Sequence, residues 1–408
     1  MPIDRLEKVL AEEVAGLRAR GTAKGDEHVV RAVIPAAGDR GPRYLLEGTG
    51  ERPFLRMSSN SYLGLALRAD LARAEEEATR AFGVGPGAVR FISGTYTPHV
   101  ALEAGLAAFH DRQAGMIFSS AYAATLGVLV PLIGPETAVI SDALNHNCII
   151  NAMRLARPKS KSVYAHLDLG ELEAQLEAAA ANGARRAVVV TDGIFSMRGD
   201  HAPLAEISAI VRRFDQRFPE NALLFVDDSH GVGAFGETGR GTEEVTGGRA
   251  DVLVATLGKA LGVNGGYVVG PQALVDYLRE TAPLYIYSNP ITCGEAAAAL
   301  AALRILDSEE GRGLLQHLRE LTQRFEHGLV EAGFETIPGA HPVVPLMVRD
   351  TARTAALVLH LEENGVLATG LNFPVVPRGH EEIRFQVNAD HTAADIDEVL
   401  AVLRSFPG

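Results

Sequence analysis

The chain has 408 residues, 47% hydrophobic and 22% charged, a balance that excludes a mostly disordered protein. Acidic residues outnumber basic ones, 51 to 38, and the net charge of −13 weighs against nucleic-acid binding. Two cysteines cannot form a disulfide framework and point to a reducing, cytoplasmic setting; the first residues carry no apolar signal core, and no membrane-spanning run is found.

Residues 4–20 predict an amphipathic helix, with Leu6, Val9, Leu10, Val14 and Leu17 on one face and Asp4 as N-cap. Residues 21–50 are polar and turn-rich, with a strand beginning at Tyr44. The first 50 residues therefore read as a helical arm packed on something larger, such as a second subunit. A helix over 100–110 precedes the apolar run 116–118. The run 139–140 ends in Ser141-Asp142. A helix over 169–182 leads to the run 187–190, which ends in Thr191-Asp192. A helix over 204–214 leads to the run 223–226, which ends in Asp227-Asp228. The run 252–255 ends in Thr256. Short β-branched runs between helices predict βαβ units, an α/β fold and a mostly parallel sheet. Beyond residue 285, helices over 295–306, 313–332 and 393–403 alternate with strands over 344–348, 366–369 and 382–387. The expected organisation is an arm (1–50), a large domain (51–285) and a smaller C-terminal α+β domain (286–408).

Ligands of parallel sheets bind outside the carboxyl ends of the strands. Asp142, Asp192, Asp227, His230 and Lys259 follow the predicted strands there. The chain has only five lysines, Lys8, Lys24, Lys159, Lys161 and Lys259, and the other 33 basic residues are Arg. Arg stays protonated in proteins and Lys can lose its proton. A deprotonated Lys in the Gly-rich stretch Thr256–Gly262 can attack a carbonyl. Pyridoxal 5'-phosphate (PLP) is the aldehyde that needs such a Lys, with an acidic partner for its pyridine nitrogen. The ring needs a planar group stacked on it, and the phosphate needs N–H groups at a helix start. Ser119–Thr125 could supply the latter. No Gly-x-Gly-x-x-Gly opens a helix after a strand, which ranks a dinucleotide oxidoreductase low. No His or Cys spacing suggests a metal.

Seven segments add a resemblance. They are Ser58–Leu65, Asp142–His146, Thr191–Met197, Val226–Gly233, Gly236–Gly241, Thr256–Gly262 and Phe373–Gly379. In this order they closely resemble the α-oxoamine synthase family of PLP enzymes, most of all its 2-amino-3-ketobutyrate CoA ligase branch. The resemblance implies PLP-dependent transferase fold type I, with a mostly parallel sheet of the seven-stranded type. It implies a homodimer with a shared active site. It also implies an acyltransferase that joins a small amino acid, glycine first, to an acyl-CoA, acetyl-CoA first, and releases CoA. A longer acyl chain, or serine or alanine with loss of CO2, is the alternative. An aminotransferase or lyase ranks lower. A non-catalytic partner subunit is disfavoured because Lys259 is retained.

The roles implied are these. Lys259 would carry PLP and act as acid/base at the substrate Cα. Asp227 would pair with the pyridine nitrogen, His230 would bond the phenolic oxygen and His146 would stack on the ring. Tyr122, Ala123 and Thr256 would hold the phosphate, with Ser288 reaching the partner's. Ser196 would lie near the phenolic oxygen. Arg384 would clamp the amino-acid carboxylate beside Asn60, and His99 matches a family His. Four features depart from the family pattern. Arg198 stands where relatives have Asp, the phosphate turn reads Tyr122-Ala123-Ala124-Thr125, the loop after Lys259 is one residue shorter than in the ketobutyrate ligases, and Pro290 follows Ser288-Asn289.

Overall fold

The computed structural model describes residues 3–20, 22–23, 27–373 and 375–407. Pro374, within the C-terminal motif, lies outside the described residues, as does Lys24. The central sheet has seven strands. Their spatial order is Ala114–Phe118, Gly266–Gly270, Val252–Thr256, Ala222–Asp227, Arg186–Asp192, Thr137–Asp142 and Ser160–Tyr164. All run parallel except Gly266–Gly270, which is antiparallel to both neighbours. The expected α/β fold with its seven-stranded, mostly parallel sheet is what the chain forms.

Side chains alternate between the two faces of a strand. Ala187, Val189, Leu253, Ala255, Tyr267 and Val269 enter one core, and Val188, Val190, Val252, Val254 and Val268 enter another. Helices cover both faces, which is why these strands are continuous apolar runs. The strand Gly266–Gly270 is too short and too glycine-bounded to announce itself. The edge strand Ser160–Tyr164 opens on Ser-Lys-Ser and holds no apolar run beyond Val163-Tyr164, so it carries no strand signal in the sequence.

A second sheet joins Val30–Ile34, Arg43–Leu46 and Pro53–Arg56 to Val366–Leu367. A third, antiparallel sheet joins Glu335–Thr336, Val343–Met347, Glu382–Gln386 and Thr369–Leu371. The run predicted over 366–369 thus divides between two sheets. The helix Asp4–Ala19 forms as expected, but its N-cap is Ile3 rather than Asp4 and none of its residues is buried. Its leucines and valines are all exposed.

The carboxyl ends of the strands align. Asp192 pairs with Asp227, and Gly266 pairs with both Phe118 and Thr256. Directly below that edge, fully buried Asp228 accepts from Thr242 N and Oγ1, each at 2.7 Å. Three glycines surround this carboxylate. A Cβ on Gly193, Gly231 or Gly241 would come within 2.1 Å of its oxygens. Gly231→Ala is therefore expected to destabilise the fold by about 1–3 kcal/mol through overpacking. Gly134→Ala, in open space, is the control. Equal denaturation midpoints for the two variants would refute this.

Candidate active site

At this carboxyl edge lies a cavity of about 260 Å³. Its walls include Lys259, Asp227, His230, His146, Tyr122, Ser196 and Thr256. These seven and Asp192, all singled out in the sequence, are thereby brought together. Asp142 is not among them. It accepts from His166 Nδ1 and from the amides of Leu144 and Leu167, and serves the loops around it.

Lys259 projects from the loop between the strands Val252–Thr256 and Gly266–Gly270. Leu257 N donates to Gly265 O, Val263 N to Leu257 O and Gly262 N to Lys259 O, so the loop is closed on itself. Thr256 Oγ1 accepts from Gly258 N at 3.0 Å and donates to Gly265 O at 3.2 Å. Gly262 has φ +70°, and a Cβ there would meet Ala66 N at 2.5 Å. Burial lowers the Lys259 pKa to about 8, although Asp227 and Asp192 oppose the shift. The free amine is the nucleophile for an aldehyde. The apo-protein is therefore expected to take up PLP at a rate that climbs through about pH 8, roughly tenfold slower at about pH 7 than at its alkaline plateau. A pH-independent uptake rate would contradict this.

Asp227 ends its strand and faces the cavity. It accepts from Thr125 Oγ1 at 3.1 Å, Ser229 N at 3.1 Å and Cys148 Sγ at 3.5 Å. Every bond it makes is one it accepts, which suits a carboxylate. Thr125 comes from the helix Ala121–Leu132 and Cys148 from the helix Asn147–Leu155, so two helices fix the carboxylate's orientation.

His146 caps the second of these helices, its Nδ1 accepting from Cys148 N. Its amide donates to Asp192 Oδ2 at 3.0 Å. Asn145 holds the turn by bonding Val190 O, Ser141 Oγ and Asp192 N, each at 2.8 Å. The His146 ring is left exposed on the cavity wall. Burial, and then the charge of Asp227, raises the Asp192 pKa well above the ordinary carboxylate range.

His230 is kept neutral: burial first, then Lys259 and His341, depress its pKa well below the usual value. Tyr62 OH lies 2.7 Å from His230 Nδ1, and His341 Nε2 bonds His230 O at 2.8 Å. With the Tyr62 hydroxyl donating to Nδ1, the imidazole proton resides on Nε2 as a donor. Tyr62 OH also lies 3.4 Å from Asn60 Oδ1. Asn60 is carried against the C-terminal sheet by the bond from Gln386 N to Met57 O. Its side chain lies 3.0 Å from the Gln386 amide. With its oxygen toward Arg384, that amide accepts from Nε and Nη2 at 3.1 Å each. Arg384 Nη1 also donates to Ser196 O at 3.3 Å. Arg384 and Asn60 thus stand on the side of the site formed by the C-terminal sheet.

The helix Ala121–Leu132 begins at the cavity with Ser120, whose Oγ accepts from Ala123 N at 3.0 Å. This cap occupies the Ala123 amide, so Ser120 and the first-turn amides are the donors facing the cavity. Gly266 lets the turn pass: a Cβ there would lie 2.2 Å from Ala121 N. Ser288 is partly exposed, bonds Asn289 O alone among the described residues and does not line this cavity. His99 is fully buried; its Nε2 bonds Ile291 O at 2.8 Å and its Nδ1 accepts from Tyr96 N, a structural tie. Arg198 points to Asp200, with Nε 2.8 Å from Oδ2. Asp192 was expected at this edge without a role, and Tyr62 and Thr125 lay in segments that carried a signal, whereas Cys148 and Gln386 had none.

The residues fit PLP. Asp192 Oδ1 and Ser229 Oγ are buried at the cavity wall without a hydrogen-bond partner. The donor set supplies an amine for the aldehyde, a carboxylate for the ring nitrogen, an imidazole face for the ring and a helix start for the phosphate. Sheet and site together define a PLP-dependent transferase of fold type I. The chain matches the family described as Aminotransferase class I and II over residues 52–403 and belongs to it.

It is 41% identical, over 86% of its length and 88% of the relative, to the 8-amino-7-oxononanoate synthase of Exiguobacterium sibiricum. It is 37% identical to the mitochondrial 2-amino-3-ketobutyrate coenzyme A ligase of Homo sapiens, over 96% and 90% of the two chains. The serine palmitoyltransferase of Sphingomonas wittichii superposes with a TM-score of 0.87 at 26% identity, covering 99% of this chain and 97% of that one. Within the larger family the chain is therefore an α-oxoamine synthase, a PLP-dependent acyltransferase.

Proposed function

We propose that the enzyme condenses glycine with acetyl-CoA, releases CoA and keeps the glycine carboxylate in a four-carbon 2-amino-3-oxo acid. The resemblance of the ordered segments to the 2-amino-3-ketobutyrate CoA ligase branch carries the choice of glycine. The extent of similarity to the human ligase supports an acetyl donor. The comparable similarity to the oxononanoate synthases supports a longer acyl chain as the second reading.

Bound PLP supplies an electron sink for negative charge at the amino-acid Cα. The chain supplies the rest. Arg384 holds the α-carboxylate, a task suited to a planar guanidinium. Lys259 takes the Cα proton. Asp227 keeps the proton on the ring nitrogen, because a nearby negative charge favours the cation. His230 donates through Nε2, with Tyr62 fixing the tautomer. The Cα–carbonyl bond then forms as the C–S bond breaks, and the proton leaves as the thiol of CoA.

We assign the enzyme to the cytoplasm as a homodimer. Both cysteines are free and buried, and among the described residues no helix is long and apolar enough to cross a membrane. The apolar face of Asp4–Ala19 and the exposed strand Val30–Ile34 are surfaces for a second copy. Ser288, which does not line its own chain's cavity, is assigned to the partner's phosphate site on the family resemblance.

Glycine labelled at its carboxyl carbon tests the reading. The label is expected in the amino-oxo acid product; its release as CO2 would overturn it. Arg384→Ala is expected to raise the amino-acid KM about 10- to 100-fold, the worth of a charge-assisted hydrogen bond, and to spare the acyl-CoA KM. Equal effects on both would remove Arg384 from this role.

A further inference from the structure

Glu382 lies two residues before Arg384 on the strand Glu382–Gln386, so both side chains leave the same face of the sheet. It is 3% exposed. Its Oε1 is buried without a hydrogen-bond partner, and among the described residues no ion pair reaches the carboxyl. The surrounding charges are all committed elsewhere. Arg384 turns to Ser196 O and to Gln386, while Arg198 turns to Asp200. Flanking strands bring only Met347 and Leu371 opposite Glu382. A buried, uncommitted carboxyl thus stands beside the guanidinium assigned to the substrate's carboxylate.

We propose that Glu382 tunes the Arg384 clamp: as a carboxylate it repels the amino acid's carboxylate, and as a neutral carboxyl it leaves the guanidinium to the substrate. This rests on the assignment of Arg384 as the clamp. Burial raises the Glu382 pKa to about 7, against the opposing pull of Arg384 and Arg198 and with the help of Asp200. Protonation below that pH therefore strengthens carboxylate binding. The neighbouring His166 does not switch in this range. Burial opposes its charge, but hydrogen bonds to Asp142 and Asp200 hold its pKa at about 9.

Propanoate is the probe, because it carries the carboxylate without an amine that titrates. Its binding to the PLP-loaded protein is measured by titration calorimetry between pH 6 and pH 8. The wild type is expected to lose about tenfold in affinity across that range, following the neutral fraction of Glu382. Glu382→Gln and Glu382→Met are expected to bind independently of pH, and at pH 8 more tightly than the wild type. A wild-type pH slope retained in both variants overturns the proposal while leaving the clamp intact. Unchanged propanoate binding in Arg384→Ala overturns the clamp itself.

Discussion

Lys259→Ala protein is expected to bind PLP without a covalent bond and to lose turnover by about 10⁴-fold, the upper range for removing a positioned acid–base group. The Lys259 amine borders the cavity together with Asp227, Asp192 and His146. No other lysine is among the residues that line it. Borohydride treatment of the wild type should fix the cofactor on the Lys259 peptide, and the variant should acquire no such label. Methylamine, small enough for the vacated space, should restore part of the activity by returning an amine to the cavity. A stable label on another lysine, or near-normal turnover, would refute the role.

Asp227→Asn is expected to keep the cofactor and lose turnover by about 10²–10³-fold, the cost of deleting one aimed electrostatic partner. Asn has nearly the same shape, and one side-chain oxygen remains to accept from Thr125 or Ser229. What disappears is the negative charge that holds the ring proton. Without that proton the ring is a poorer sink, so kcat should fall while both KM values change little. Normal kcat with full cofactor occupancy would contradict this.

Much of the fold was legible because the sheet is buried on both faces. Runs such as Ala187–Val190 and Val252–Ala255 have no other plausible placement between amphipathic helices. The helix over Leu204–Phe214 was legible to the residue, since its apolar face is regular and buried. Strands that lack such runs were missed, as with Ser160–Tyr164, and so was Gly266–Gly270, whose three apolar residues stand between glycines. Lys259 stood out through the scarcity of lysine. Asp142 looked equivalent to Asp227 and Asp192 in position, yet only the loop geometry turns it toward His166. Gln386 and Cys148 could not be found from sequence, because their meaning lies in contacts with Arg384 and Asp227 made across the fold. The Arg198 departure places its charge on Asp200 rather than in the cavity, so the Lys259, Asp227 and His230 arrangement is undisturbed by it.

The most direct test is CoA release by the PLP-loaded protein. Glycine, serine and alanine are each offered with acetyl-CoA and with a longer acyl-CoA. Release with glycine and acetyl-CoA, and much less with every other pair, is the predicted result. Faster release with another pair would contradict the proposed substrates. Silence with every pair would contradict thioester condensation itself.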